Sequence, residues 1–265
     1  MKVDFETKCW EGDWEYILKT NRLQKMIEIN DYEFTKKTLL INNINSFKEV
    51  KKFADKKVRE NIIDQFIFVK DFENEVLELF EIPKSFKKDK GFKYSISELT
   101  GIYLSNSDYL VHFSSDSILI NKTNWIEKSI DLIKNNSRIK AVSPVEERSR
   151  QKKILIINNG YEFTHVFSDQ CYLIPISHYK NNIYEELNVN TYIYPKYGGN
   201  LFEKRICAHF YNHSYFRVIL GEVLFYSMNF KNLKYIKNIL IFLGKDFSLI
   251  FSFIADLRRM VRNDL

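Results

Sequence analysis

The sequence predicts an α/β fold with a mostly parallel central sheet, followed by a C-terminal amphipathic helical tail. Two observations predict the sheet. Short apolar runs recur through the first half, and stretches of about 10–15 residues with apolar side chains at helical spacing separate them, the pattern of βαβ units with right-handed crossovers. A third observation sets off the tail. From about residue 229 the chain places Leu233, Ile236, Ile239, Leu240 and Leu243 on one face and Lys231, Lys234 and Lys237 elsewhere, then ends in an apolar run bordered by Arg258, Arg259 and Arg262. The expected organisation is a domain over 1–228 and a basic tail over 229–265.

Taken in order, VDFETKC (3–9) is a first short strand. A helix is expected from Asp13 to Ile29, where Trp14, Ile17, Leu18, Leu23, Met26 and Ile27 form a drifting apolar face. KTLLINN (37–43) is a buried strand that ends in polar residues, and Phe47, Val50, Ala54 and Val58 fall at helical spacing. QFIFVK (65–70) is a third buried strand, after which Phe72, Val76, Leu79 and Phe80 mark a helix. A charged loop over 84–93 precedes a helix with Ile96, Leu99 and Tyr103 on one face, leading into the strand YLVHF (109–113). Thr123 or Asn124 can cap the helix carrying Ile126, Ile130 and Ile133. AVSP (141–144) is a short strand, EERSRQKK (146–153) a mobile loop, and residues 153–163 a hairpin about an Asn-Gly turn. CYLIPI (171–176), a helix over 198–211 and a strand in FRVILGEVLFYS complete the domain.

Composition excludes some classes. With 265 residues and 45% hydrophobic side chains, the chain has material for a sizeable core and is not disordered overall. A net charge of +6 suits phosphate-bearing ligands or anionic surfaces. It is modest for a nucleic-acid binder, and no aromatic-basic module accompanies it. The cysteines, Cys9, Cys171 and Cys207, are too scattered for a disulfide framework or a zinc site and fit a reducing cytoplasm. No apolar leader and no uncharged apolar stretch of about 18 residues is seen, so a cytoplasmic chain is expected.

In an open α/β sheet, ligands bind beyond the carboxyl ends of the strands. The residues there are Cys9, Trp10, Glu11, Gly12 and Asp13 after the first strand, Asn42 and Asn43 after the second, Lys70 and Asp71 after the third, and Ser114, Ser115 and Asp116 after the fourth. Asn42 can read a base edge, Asp116 can hold a divalent ion on diphosphate oxygens, and Lys93 can add positive charge. His112 alternates into a strand and is expected in the core. His209 and His213 are four apart, a spacing compatible with metal binding, but no Glu or Cys pair adjoins them in sequence. Coincidence is the expectation there. Trp10 and Trp14 are expected to pack.

The order of these elements resembles the family-2-like glycosyltransferases of the Rossmann-like GT-A fold, over roughly residues 1–215. In that family a helix leads into an Asp-Tyr strand ending in Asp-x-Asp, then a short strand and a Trp-containing helix. Here Ser107-Asp108-Tyr109 through Phe113 matches the strand, Ser114-Ser115-Asp116 falls on the triplet, and Trp125 opens the helix. LLINNINSF matches the second-strand element and places Asn42 at the nucleobase position. YGGNLFEKRI looks like the helix that carries an acidic residue toward the acceptor, which makes Glu203 the expected general base and Asp169, in FSDQC, the second candidate.

The resemblance implies a hexosyltransferase-like enzyme of bacterial surface-polysaccharide assembly. Its donor would be a nucleoside diphosphate sugar, UDP-sugar favoured, and its acceptor a glycan or lipid-linked hydroxyl. Mn²⁺ or Mg²⁺ at Asp116 is also implied. The basic, amphipathic tail has two readings of its own: attachment to the inner face of a membrane when the acceptor is lipid-linked, or a pair of helices packing on the domain or on a second subunit. There are departures. Ser114 replaces the first Asp of the triplet, Asn42 replaces an Asp, Lys8-Cys9-Trp10-Glu11 replaces the opening motif, and Ser227 stands where many relatives have a metal-binding His. These departures keep a second reading open, a catalytically silent relative that binds glycan or a protein partner.

Overall fold

The first strand, β1 (Val3–Cys9), is the axis of the fold. Strand alternation sends Val3, Phe5 and Cys9 to one face and Asp4, Glu6 and Lys8 to the other, and of these only Lys8 is not fully buried. The computed structural model describes residues 1–146, 154–158, 160–194, 200, 202–227 and 234–246. The loop expected over 146–153 apart from Glu146, the Asn of the Asn-Gly turn, the start of the helix expected over 198–211 apart from Asn200, and most of the tail lie outside them.

Helices α1 (Trp14–Lys19) and α2 (Arg22–Glu28) follow β1, then β2 (Lys36–Ile41), α3 (Phe47–Arg59), β3 (Gln65–Phe68), α4 (Glu73–Leu79) and α5 (Phe92–Leu104). Next come β4 (Tyr109–Phe113), β5 (Ser117–Leu119), α6 (Ile126–Asn135), β6 (Ile139–Glu146) and the hairpin β7 (Ile156–Asn158) and β8 (Tyr161–Thr164). The order ends with β9 (Cys171–Pro175), α7 (Ile176–Tyr179), α8 (Phe202–His213), β10 (Phe216–Ser227) and α9 (Lys234–Leu243).

The sheet runs β3-β2-β1-β4-β9-β6-β10-β8-β7, with β5 on β10. The block β3-β2-β1-β4 is parallel throughout, and β6 and β10 are also parallel. Between them β9 is antiparallel to both β4 and β6. Its run CYLIP is buried nearly throughout, and an apolar run of this kind does not encode strand direction. The result is a mixed α/β protein with a largely parallel central sheet.

Two hydrophobic clusters cover the faces. One packs Val3, Phe5 and Cys9 against Leu23, Met26, Val50 and Ile130, from α2, α3 and α6. The other packs Leu40, Tyr172 and Ile174 against Val76, Ile96, Leu99 and Ile206, from α4, α5 and α8. Trp125 is the N-cap of α6; Asn124, one residue earlier, accepts the N–H groups of Ile126 (3.2 Å) and Glu127 (3.4 Å) on its Oδ1, so the expected Asn serves the helix start from the position before the cap.

Several expectations need correction. The helix expected from Asp13 to Ile29 is broken at Thr20, whose backbone is extended (φ −108°, ψ −175°). The Thr20 hydroxyl donates to the Tyr16 carbonyl (2.6 Å) and accepts the Arg22 N–H (3.0 Å), side-chain bonds that compete with the helical ladder. The break turns Arg22 fully inward. Leu79 does not mark the inner face of α4, since it is 44% exposed. The segment expected as a charged loop contains a 3₁₀ turn, Lys84–Lys88, and the start of α5. In α9 the expected apolar face is divided: Leu240 is fully buried, while Ile239 and Leu243 are more than half exposed.

Candidate active site

The parallel order β2-β1-β4 reverses at β1, so β1 and β4 flank a topological switch point, where loops diverge and leave a crevice. The register sets Glu6 beside His112 on β4, and His112 beside Tyr172 on β9. Helix α5 lies over this row. Ser105, Gly101 and Glu98 face Asp4, Glu6 and Lys8 in turn: the Ser105 hydroxyl donates to Asp4 (3.1 Å), and Lys8 Nζ donates to Glu98 Oε1. Gly101 makes room for Glu6: a Cβ at that position would lie 1.8 Å from Glu6 Oε2, so the buried carboxyl would have to shift.

This buried polar seam leads to the carboxyl end of β1. There Lys8 Nζ also lies 3.7 Å from Asp169 Oδ2, and the Asp169 N–H donates to Glu203 Oε1 (2.9 Å) in the first turn of α8. The seam's charges are coupled. Burial opposes the charge on Lys8, but Glu98 and Asp169 outweigh it and hold the ammonium above its usual range. Burial lifts the Glu98 carboxyl, with Lys8 opposing, and lifts Glu6 well above the usual carboxylate range with Glu98 adding to the effect. Glu203 is pushed well above its usual value by burial and then by Asp169. His112 is driven well below its usual value by burial; its Nδ1 meets Glu6 Oε1 at 3.0 Å, and its ring stacks on Tyr172, as a core histidine does.

The triplet forms a tight turn. The Ser114 hydroxyl donates to the Asp169 carbonyl (3.2 Å), and the Ser115 hydroxyl to Asp13 Oδ2 (2.5 Å). Buried Arg22 donates to the carbonyls of Ser117 (2.8 Å) and Ser115 (3.5 Å) and pairs with Asp246 (3.3 Å), beyond α9. Asp116 is raised by burial, opposed by Lys8 and reinforced by Asp169, and its Oδ2 accepts from Ser227 at 3.4 Å. Asp116, Asp169, Glu203 and Lys8 therefore share one electrostatic neighbourhood.

Of the remaining expected residues, Trp10, Glu11, Asn43 and Lys93 form a rim on the loops after β1 and β2 and the start of α5, Asn42 lies beneath it, and Cys9 does not reach it. Trp10 is 52% exposed and its backbone N–H donates to Asp13 Oδ1 (2.8 Å), whereas Trp14 is buried against Phe53. Glu11 accepts the Asn45 N–H (2.7 Å) and donates its own N–H to the Asn43 carbonyl (3.3 Å). Burial pushes the Cys9 thiol well up, and Cys9 packs in the core rather than facing the rim. The Asn42 amide donates to the Lys93 carbonyl (3.0 Å) and Ser97 hydroxyl (2.9 Å), so its N–H₂ group ties β2 to α5. Asn43 takes a left-handed turn (φ 49°) and donates to the same carbonyl (3.1 Å). The exposed Lys93 side chain lies over the Tyr94 ring.

Sequence reasoning missed Lys8 and Glu98, and placed Asp13 after the first strand without giving it a role. The signal was present: a strand expected at the centre of a parallel sheet carries Asp4, Glu6 and Lys8 on one face, where apolar residues are expected. A cleft of about 500 Å³ beside Thr20, Phe53 and Lys57 lies elsewhere, and none of the residues of the Lys8 cluster lines it.

Asp116 accepts from Ser227, which also meets Gln170 Oε1, and other acids stand nearby: beyond the effect of burial, Asp169 raises the Asp116 carboxyl, which in turn raises those of Asp13 and Glu146. Such a set suits Mg²⁺ or Mn²⁺ held mainly by a ligand's phosphates. Among the described residues, the group of acidic and histidine side chains with ligand atoms all within 4.8 Å of one another is a different one, Glu186, His209 and His213. No described helix is long and apolar enough to cross a membrane. No family model matches the chain, and no curated protein matches it. It is similar to a solved structure described as the crystal structure of a mycobacterial protein, with 12% identity and a TM-score of 0.48 over 86% of this chain and 67% of that one.

Proposed function

We propose that the protein is a glycosyltransferase of the family-2-like GT-A type, moving a sugar from a nucleoside diphosphate sugar to a hydroxyl of a glycan or lipid-linked acceptor. The observation that carries the proposal is the meeting of Lys8, Asp116, Asp169 and Glu203 at the carboxyl ends of β1 and β4. Glu203 takes the proton of the acceptor hydroxyl as its oxygen bonds to the anomeric carbon. The bond from that carbon to the diphosphate oxygen breaks, and its electron pair leaves with the diphosphate. A carboxylate raised by burial is a stronger base near neutrality than an exposed one.

Asp169 presents its backbone N–H to Glu203 and its side chain to Lys8, which orients both carboxylates. Asp116, with Ser227, would hold a divalent ion that supplies countercharge to the diphosphate. Trp10, exposed at the rim, offers a face to base or sugar. A cytoplasmic location belongs to the same reading, with the tail at the inner membrane face when the acceptor is lipid-linked. UDP-glucose is the first donor to assay. Glu203→Gln is expected to lower the transfer rate by about 10²–10⁴-fold while leaving nucleotide affinity within a few-fold. Full activity in Glu203→Gln would remove it as the base.

One observation favours the silent reading. The Ser114 hydroxyl is turned to the Asp169 carbonyl, leaving one carboxylate in the triplet. A wild type that binds nucleotide yet releases none from any sugar donor would establish that reading.

A further inference from the structure

Helix α8 carries Glu203 in its first turn and a second cluster at its other end. His209 and His213 stand four residues apart, on one face of the last turns. The segment before the helix brings Glu186 to the same place: its Oε1 lies 2.5 Å from His209 Nδ1 and 3.1 Å from His213 Nε2. His178, in α7, places its Nε2 3.1 Å from His209 Nε2. Four side chains from three segments thus meet, and the ligand atoms of Glu186, His209 and His213 all lie within 4.8 Å of one another.

We propose that Glu186 Oε1, His209 Nδ1 and His213 Nε2 bind one zinc-class divalent ion, with His178 as the positioning partner of His209. Four ligands at about 2.0–2.1 Å around Zn²⁺ stand roughly 3.3 Å apart in a tetrahedron, so the three atoms need only small side-chain movements to fit. The surroundings suit this. Asn212 Nδ2 donates to Glu186 Oε2 (2.7 Å), which holds the second carboxylate oxygen and leaves Oε1 to face the histidines. Arg205 donates to the carbonyls of Glu185 (3.3 Å) and Glu186 (3.2 Å), which fixes the segment on α8. A metal on His209 Nδ1 places that ring's proton on Nε2, where His178 Nε2 accepts it; an orienting bond of this kind is the usual companion of a ligating imidazole.

Two imidazoles and one carboxylate favour Zn²⁺ over Mg²⁺ or Ca²⁺, which take oxygen ligands. The His213 side chain is 48% exposed, so an ion can enter from solvent and a water can fill the fourth position. His209 is nearly buried, which anchors the site. The ion clamps the end of α8 to the 178–186 segment and fixes the helix that carries Glu203. This site shares no residue with the Asp116 cluster, and the inference stands whether or not the protein transfers sugar.

The test is Zn²⁺ titration by calorimetry on metal-stripped, tag-free full chain, with Co²⁺ absorption as a second readout. The expected result is one Zn²⁺ per chain, visible Co²⁺ bands of four-coordinate intensity, and unchanged uptake in Asp116→Ala. His213→Ala, at a half-exposed position, and Glu186→Gln should each weaken binding by more than about 100-fold, and His178→Phe by about 10–100-fold. No stoichiometric uptake by the wild type would overturn the proposal. Equal affinity in a folded His213→Ala and Glu186→Gln, or loss of the ion in Asp116→Ala, would overturn it as well.

Discussion

Lys8 is the countercharge of a seam that would otherwise hold several acids, and its removal can be worked through. Its Nζ pairs with Glu98, whose side chain is fully buried, and lies 3.7 Å from Asp169, while the Lys8 side chain itself is 20% exposed. Lys8→Met keeps most of the side-chain volume and deletes the charge. Removing one partner of a buried pair costs about 3–5 kcal/mol, because the remaining charge is left unpaired in low dielectric. For a chain of this size each kcal/mol moves the midpoint by about 2–4 °C, so a fall of roughly 6–20 °C is expected near pH 7.5.

The sign with pH follows from the acids. Glu98 and Glu6 have folded pKa values above their unfolded ones, so they contribute stability at low pH that is lost as pH rises through the folded values. Without Lys8 these values climb further. The Lys8→Met deficit should therefore be largest above neutrality and shrink toward pH 4, where Glu98 is protonated in both proteins. Lys8→Met combined with Glu98→Gln should recover much of the loss, since it removes the orphaned acid. Thermal and urea unfolding at pH 4.5, 6 and 7.5 would measure all of this. A deficit below about 1 kcal/mol at pH 7.5, flat with pH, would refute the claim that Lys8 is the countercharge of the buried acids.

Further outcomes follow from the neighbouring groups. Burial lifts Asp13 to about 7, partly offset by the Ser115 hydroxyl and the Trp10 N–H, so Asp13 stabilises the fold below its unfolded value of 3.8 and loses that contribution as pH rises to about 7. At about 1.4 kcal/mol per pH unit this slope amounts to roughly 4 kcal/mol across the window, and Asp13→Asn should flatten it in unfolding curves. Identical slopes in the two proteins would contradict the assignment. Gly101→Ala drives a methyl group into Glu6 and should cost about 1–3 kcal/mol or more. Adding Glu6→Ala should restore most of that loss, and an unrescued double variant would place the cost elsewhere.

Much of the parallel half of the sheet was legible because its strands are short apolar runs spaced by amphipathic helices. β1 and β4 fall on the residues expected for them, Val3–Cys9 and Tyr109–Phe113. The break at Thr20 was not legible from periodicity, since α1 and α2 share a continuing apolar face, and the hydroxyl that interrupts the ladder acts through local hydrogen bonds. Direction was also hidden for β9, which is apolar on both faces. At the site, Asp116 was found as a polar residue after a strand, whereas Glu203 and Asp169, which lies just before β9, were reached through the family resemblance. Their common partner Lys8 was passed over because its significance depends on α5 bringing Glu98 across from 90 residues away. The His209 and His213 spacing was noted, but the acid that completes it, Glu186, is distant in sequence and joins them only through the fold.

The most direct test of the central claim is thermal stability of the wild type and Asp116→Asn against ADP, CDP, GDP, TDP and UDP, each with and without Mn²⁺. A ligand at a hundredfold excess over its dissociation constant stabilises the native state by about 2.7 kcal/mol. At about 2–4 °C per kcal/mol, that is a shift of roughly 5–11 °C for this chain. Such a shift is expected with one nucleotide, UDP first, enhanced by Mn²⁺ and lost in Asp116→Asn. Equal midpoints with every nucleotide, or a shift that persists unchanged in Asp116→Asn, would contradict the placement of a donor site at the ends of β1 and β4.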